Sequence, residues 1–470
     1  MEGPLPACFK AYDVRGRVPQ DLDEHLAEGV GRALADLLAA DRAAGLGAGE
    51  RKTGDRIVVA VGRDVRESSQ SLASALARGL VRGGADVLDI GLCGTEMIYF
   101  ATFDRGLDGG IMVTASHNPK GYNGLKLVRV GARPISGDTG LHALGLAAVA
   151  GGQSDAAMPG TVTQTDILED YIAHLLTWVN RKALRPLKIV VDAGNGCAGP
   201  VIERLARELP FTIIPRRFVP DGTFPTGVPN PLLPENRDFC AEAVREEDAD
   251  FGVAFDGDFD RCFFFDGHGD FVEGYYLVGL LAAQALRQAP GARIVHDPRL
   301  TWNTIDVVTA AGGTPICSKT GHAFIKERMR AEDAAYGGEM SAHHYFRRFG
   351  YCDSGMIPWL LVAEHLSIEN CSLHEAIGDR MDEFPCSGEI NREVQDITTA
   401  IDAVRARFGA RALSEDHTDG LSLTFDEWRF NLRGSNTEPL LRLNVETRGD
   451  RGLLERRTAE LLGVIGGGKP

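Results

Sequence analysis

Three stretches of this chain repeat one order of apolar runs and amphipathic segments, and that repetition narrows the possible folds more than any other feature. Arg56–Gly62 (RIVVAVG) reads as a buried strand, followed by a helical stretch (SLASALARGLVRGG) and a second strand, Ala85–Gly91 (ADVLDIG). Leu187–Ala193 (LKIVVDA) opens the same series, with a helix from about Gly199 to Glu208 and a strand at Phe211–Pro215. Ala292–His296 (ARIVH) opens it a third time, with a helix near Thr301–Ala311 and a strand at Thr314–Ser318. Short apolar runs alternating with amphipathic helices make parallel βαβ units, whose strands are apolar throughout because both faces are covered. Three occurrences predict three related α/β domains with mixed or parallel sheets, not one large sheet. The last segment differs: strands at Leu421–Phe425 and Leu440–Glu446 and a closing helix over Asp450–Val464 predict a smaller α+β domain. Polar or Gly-rich stretches and changes of pattern place the expected domains at residues 1–158, 159–267, 268–380 and 381–470.

A chain of 470 residues is long enough for about three or four domains. Its formal charge is −16 and no Lys/Arg run stands out, which argues against nucleic acid or an acidic membrane surface as a partner. The longest apolar run, near Tyr275–Leu286, is too short to span a bilayer. Met1–Gly16 has no signal-peptide core, and the nine scattered cysteines include no Cys-x-x-Cys pair. The expectation is a cytoplasmic protein without a disulfide framework or structural zinc. An acidic chain that binds an anion must gather positive charge locally, and Arg15, Arg63 and Arg66 near predicted turns are candidates.

Four motifs suggest chemistry. In Ile111–Gly124 (IMVTASHNPKGYNG) an apolar strand breaks into a polar turn, leaving Ser116 at the strand's carboxyl end, where α/β folds expose reactive groups. Ser116 either caps a turn or acts as a nucleophile, with His117 and Lys126 close in sequence. In Asp256–Arg261 (DGDFDR) alternate carboxylates of an extended chain point to one side, and a divalent cation relieves their repulsion. Oxygen ligands suit Mg²⁺ or Ca²⁺, but Arg261 and Gly267 occupy the sixth and twelfth positions and exclude an EF-hand. Ser318–Lys326 (SKTGHAFIK) and Tyr336–Phe346 (YGGEMSAHHYF) read as loops, with Glu339 and Ser341 suited to sugar hydroxyls and His343–His344 open to a metal-pair reading. Arg433–Pro439 (RGSNTEP), between two strands, is either a dense donor cluster for phosphate or a plain hairpin turn.

Taken together, TASHNP, DGDFDR, GEMSAHH and RGSNTEP, in this order from about Phe9 to Glu446, resemble the α-D-phosphohexomutase superfamily. GEMSAHHYF and NPLLPENR (Asn230–Arg237) look most like its bacterial phosphomannomutases. The resemblance implies a four-domain, heart-shaped fold. It implies that Ser116 is a phosphoserine and that Asp256, Asp258 and Asp260 hold Mg²⁺ with it, beside Arg261. Glu339 and Ser341 would meet the sugar's 3- and 4-hydroxyls, and Arg433, Ser435, Asn436 and Thr437 the non-reacting phosphate. Tyr12, Arg15, His117, Lys126, Thr320, Gly321, His322 and His343 would line the reaction centre or bind substrate. Arg299 stands where many members carry Lys, and Ala342 where several have Gly.

The activity implied is interconversion of mannose 6-phosphate and mannose 1-phosphate through a hexose 1,6-bisphosphate that also serves as activator, feeding GDP-mannose synthesis. The general base would be Lys126 or His322. A phosphoglucomutase, a dual-specificity mutase, a phosphatase and a non-catalytic phosphosugar-binding protein are the other readings. The partner would be a hexose phosphate, with the enzyme a monomer or homodimer.

Overall fold

The computed structural model describes residues 4–47, 55–150, 155–434 and 440–466. The chain forms two compact units, Met1–Phe271 with Arg348–Asn370, and Val272–Arg347 with Cys371–Pro470.

The first unit carries two mixed sheets. In the first, Val58–Arg63 lies between Asp86–Leu92 and Gly109–Val113, parallel to both, and Tyr122–Arg129 returns antiparallel beside Gly109–Val113. Val14–Arg17 and Val162–Gln164 extend its two edges. In the second, Lys188–Asp192 lies between Thr212–Arg216 and Phe251–Phe255, parallel to both, and Cys262–Phe265 returns antiparallel. The strands Gly109–Val113 and Phe251–Phe255 are buried at every residue, as helices on both faces demand. The helices Glu24–Ala43 and Ser69–Arg82 cross in close contact on the first sheet. Two glycines permit this: a Cβ on Gly31 would lie 2.2 Å from the Leu76 carbonyl oxygen, and one on Gly79 2.0 Å from that of Glu28.

The second unit repeats the pattern once. Arg293–His296 lies between Thr314–Cys317 and Tyr336–Gly338, parallel to both, and His344–Phe346 returns antiparallel. The last sheet, in the order Ile390–Glu393, Leu440–Thr447, Trp428–Gly434, Leu421–Thr424, Ser414–Asp416, is antiparallel throughout. Its core gathers Val404, Phe408, Leu423, Phe430, Leu432 and Leu461 under the helices Ile397–Phe408 and Arg451–Ile465. No helix among the described residues is long and apolar enough to cross a membrane.

This shared topology has a functional consequence. In each of the three mixed sheets the turn that leads into the antiparallel strand, from Gly109–Val113, Phe251–Phe255 or Tyr336–Gly338, lies at a strand's carboxyl end. Those turns hold Ser116, Asp256–Arg261 and Glu339–His343. Three of the four sequence motifs are therefore one structural position used three times.

Two expectations need correction. Tyr336–Phe346 is a hairpin, not a loop: Tyr336 faces Phe346 across the strand pair with ring centroids 5.4 Å apart. Such a cross-strand aromatic pair stabilises strands that glycines would otherwise weaken. Ser318–Lys326 is a loop only to Gly321, because His322 begins the helix His322–Glu332.

Candidate active site

In the first unit Ser116 follows the strand Gly109–Val113 and has φ of 48°, the left-handed region that residues other than glycine seldom adopt. Surrounding bonds hold it there. The Ser116 amide donates to Thr114 Oγ1 at 2.8 Å, and Thr114 Oγ1 donates to Asp64 Oδ2 at 2.8 Å. Arg66 donates to four carbonyl oxygens of the same loop: Ser116 at 2.9 Å, Asn118 at 2.6 Å, and Pro119 and Tyr122 at 3.0 Å each. Arg66 therefore orders the serine loop through its backbone, a role that composition and turn signals do not convey. Arg15 acts on the same loop, donating to the Ala115 carbonyl at 3.0 Å and to Asn118 Oδ1 at 2.5 Å while paired with Asp13. Tyr12, half-buried, sits in the bend before the strand Val14–Arg17.

The turn Asp256–Arg261 docks on that loop. Ser116 Oγ donates to Asp256 Oδ2 at 2.6 Å. A Cβ on Gly257 would lie 2.8 Å from the Ser116 carbonyl oxygen, so glycine permits this approach. The carboxylates do not converge by extended alternation as expected. They converge through a tight turn in which Phe259 has φ of 44°. The correction is one of geometry, since oxygens of Asp256, Asp258 and Asp260 still lie within 4.8 Å of one another, all three residues being buried. Arg261 binds Asp256 Oδ2 through Nε at 2.9 Å and donates through Nη2 to His117 Nδ1 at 2.5 Å; that imidazole nitrogen is 3.0 Å from Ser116 Oγ.

The electrostatics of the turn favour a cation. Lys126 Nζ is 2.8 Å from Asp258 Oδ2 and is also bonded to Asp260. Burial opposes the Asp258 charge, yet Lys126 holds that carboxyl well below the usual carboxylate range. Burial and the Asp258 charge push Asp260 up. Burial also works against the charge on Lys126, but the two aspartates outweigh it and raise its pKa, so the ammonium form is favoured. Lys126 and Arg261 thus face a cluster of three carboxylates, and the buried Asp258 Oδ1 meets no hydrogen-bond donor among the described residues. An oxygen-only cradle with an unmatched carboxylate oxygen fits a hard divalent cation.

In the second unit a ring of groups forms around Arg299. Its Nη2 binds Asp297 Oδ2 at 2.7 Å and Ser341 Oγ at 3.2 Å, and lies 3.7 Å from Glu339 Oε1. Glu339 accepts from the Gly321 amide at 2.9 Å and Tyr345 Oη at 2.5 Å, and His343 Nδ1 is 3.5 Å away. Burial raises its pKa despite Arg299. The hairpin thus brings Glu339, Ser341 and His343 together with Arg299 and Gly321. Thr320 and His322 flank Gly321, and Thr320 Oγ1 is buried without a hydrogen-bond partner among the described residues. Ala342 has φ of 71°, a conformation that glycine would adopt more easily. His344 bonds to Tyr336 Oη at 2.6 Å inside the sheet, and burial lowers its pKa to about 3, so it is a neutral core histidine rather than half of a metal pair.

Arg433, at the end of the strand Trp428–Gly434, donates to Glu389 Oε2 at 3.1 Å; Arg299 lies 3.5 Å from the same oxygen, and Arg442 3.3 Å from Glu389 Oε1. Ser435, Asn436 and Thr437 lie outside the described residues. Sequence reasoning missed Glu389, Arg442 and Arg429. Arg429 donates to the carbonyls of Pro298 and Arg299 at 2.8 and 3.0 Å and to the buried Glu446 at 2.6 Å, fixing the loop that carries Arg299. No local pattern could have announced these, because each has a partner more than forty residues away.

Comparison with known proteins gives the same grouping. Family models for phosphoglucomutase/phosphomannomutase alpha/beta/alpha domains I, II and III match residues 6–142, 169–269 and 273–384, and the C-terminal domain model matches 389–464. A phosphomannomutase of Salmonella montevideo is 57% identical over 466 residues, covering 97% of this chain and 98% of its own. A protein of Xanthomonas campestris named for phosphohexose mutases is 56% identical over 467 residues, covering 98% and 100%. A crystal structure of a phosphoglucomutase/phosphomannomutase family protein from Burkholderia thailandensis superposes with a TM-score of 0.83 at 32% identity, covering 97% of each chain. With every domain model matched in order along nearly the whole chain, this protein belongs to the phosphoglucomutase/phosphomannomutase family.

Proposed function

We propose that the protein is a phosphomannomutase that interconverts mannose 6-phosphate and mannose 1-phosphate through a phosphorylated Ser116. The observation that carries this is the position of Ser116 Oγ, 2.6 Å from Asp256 Oδ2 at the edge of a buried acidic turn, with Arg261 and Arg15 alongside. A serine held in a left-handed conformation between carboxylates and guanidiniums suits reversible phosphoryl transfer, in which positioning and charge stabilisation do most of the work.

In this reading phospho-Ser116 gives its phosphoryl group to the free hydroxyl of a bound hexose phosphate. The bond from phosphorus to Ser116 Oγ breaks, a bond to the sugar oxygen forms, and the sugar proton passes to a base; of the two candidates, Lys126 is held as an ammonium between Asp258 and Asp260, which leaves His322. The hexose 1,6-bisphosphate reorients and returns its other phosphate to Ser116. Asp256, Asp258 and Asp260 would hold Mg²⁺, which supplies charge stabilisation for the transferring oxygens. Arg15 and Arg261 flank the phosphoryl position, Tyr12 and His117 line it, and Lys126 keeps Asp258 and Asp260 in place. Glu339 and Ser341 receive the sugar hydroxyls, with His343, Thr320 and Gly321 around them. Arg299 and Arg433, with Ser435, Asn436 and Thr437, take the non-reacting phosphate. The four domains divide near residues 158, 267 and 380, and the enzyme works in the cytoplasm as a monomer or homodimer toward GDP-mannose.

A second reading, a dual-specificity phosphohexomutase, is favoured by the Xanthomonas relative's name. Ser116→Ala tests the common core: it should lose turnover with its thermal unfolding unchanged, and the wild-type peptide containing Ser116 should carry a phosphate by mass spectrometry. Turnover surviving in Ser116→Ala would refute the mechanism.

A further inference from the structure

Thr95 is the first residue of the helix Thr95–Asp104, whose N-cap is Gly94. Gly94 has no side chain with which to cap the helix. The Thr95 hydroxyl is used on the acidic turn. Thr95 Oγ1 donates to Asp258 Oδ2 at 2.5 Å and accepts from Lys126 Nζ at 3.3 Å, while the Thr95 amide donates to the Asp258 carbonyl at 3.1 Å. One residue therefore holds both the backbone and the side chain of Asp258. The helix end reaches the turn because residue 94 lacks a side chain: a Cβ there would lie 2.2 Å from the Phe259 ring. Thr95 and Asp258 are both fully buried, so water does not compete for these bonds.

We propose that Thr95 is a positioning residue for the divalent-cation site. It ties back Asp258 Oδ2 and leaves Oδ1, which meets no donor among the described residues, available to the cation. Partners that orient metal-binding carboxylates typically change affinity by about 10–100-fold when removed. This inference rests on reading the acidic turn as a cation site, and the experiment separates the two.

The test is calorimetric titration of Mg²⁺ or Mn²⁺ into the wild-type protein, Thr95→Val and Thr95→Ser. Valine keeps the shape and removes the hydroxyl; serine keeps the hydroxyl. The expected result is cation binding by wild type and Thr95→Ser within about threefold of each other, and binding about 10–100-fold weaker by Thr95→Val, whose cation-free thermal unfolding stays near that of the wild type. Equal affinity of Thr95→Val and wild type would overturn the role of Thr95. No cation binding by the wild type would overturn the reading of the turn itself. If valine prevents folding, Thr95→Ala against Thr95→Ser makes the same comparison, and equal affinities there overturn the role of Thr95.

Discussion

Replacing Glu96 with Gln should remove a pH dependence of stability that the wild-type fold carries. Glu96 is fully buried, one residue beyond Thr95. Its Oε1 accepts from Tyr171 Oη at 2.6 Å and from the Met356 amide at 3.3 Å, joining the helices Thr95–Asp104, Leu168–Leu176 and Met356–Glu369 of the first unit. Burial raises its pKa from the ordinary 4.5 to about 8, against the pull of hydrogen bonds from Ser354 and Tyr171. Between those values the folded chain keeps a proton that the unfolded chain releases. Stability from this group is therefore fully present below 4.5 and is lost as pH rises to about 8, above which the loss is constant. At about 1.4 kcal/mol per pH unit the whole interval corresponds to roughly 5 kcal/mol. Glutamine keeps the acceptor toward Tyr171 and Met356 and cannot ionise. Scanning calorimetry of both proteins from pH 5 to pH 9 reads the effect. The unfolding temperature of the wild type should fall relative to Glu96→Gln until about pH 8, and the gap should then stop widening. Parallel curves would show that Glu96 is charged in the fold, or that its burial has no such cost.

Arg66→Met should leave Asp64 buried without its cation and cost about 3–5 kcal/mol, while kcat falls because the Ser116 loop loses its backbone anchor. Unfolding temperature and kcat measured together check both, and a loss below about 1 kcal/mol would mean that the loop does not depend on Arg66. Arg429→Met strands the fully buried Glu446 in the same way, at about 3–5 kcal/mol. It also frees the loop carrying Arg299, so KM for hexose phosphate should rise more than kcat falls in steady-state assays. A chelator such as EDTA should abolish turnover, and Mg²⁺ should restore it; unchanged turnover after chelation would contradict the role given to Asp256, Asp258 and Asp260.

The repeated strands were legible because their apolar runs are local: RIVVAVG, LKIVVDA and ARIVH each form a strand between two parallel neighbours. The turns at Ser116 and Asp256–Arg261 were legible because a strand ending in a polar break exposes reactive groups whatever its neighbours do. What the residues do once there was less so. Carboxylates two residues apart suggested extended alternation, but Phe259 in the left-handed region turns the chain instead. Arg66 looked like a charge for phosphate, yet its guanidinium is taken up by carbonyls 50 to 56 residues away. Thr95, Glu96 and Glu389 carry no sequence signal, since a threonine or glutamate at a helix start or strand edge is ordinary until a distant element packs on it. The hairpin at Tyr336–Phe346 was hidden by its glycines, which lower strand propensity, while the aromatic pair that compensates acts only across the register.

The central claim is tested most directly by following mannose 1-phosphate and glucose 1-phosphate in parallel by phosphorus NMR, with Mg²⁺ and a trace of hexose 1,6-bisphosphate. The account predicts that mannose 1-phosphate becomes mannose 6-phosphate faster than the glucose sugar is converted, with no net release of inorganic phosphate. Free phosphate accumulating from both sugars would contradict it and identify a phosphatase instead.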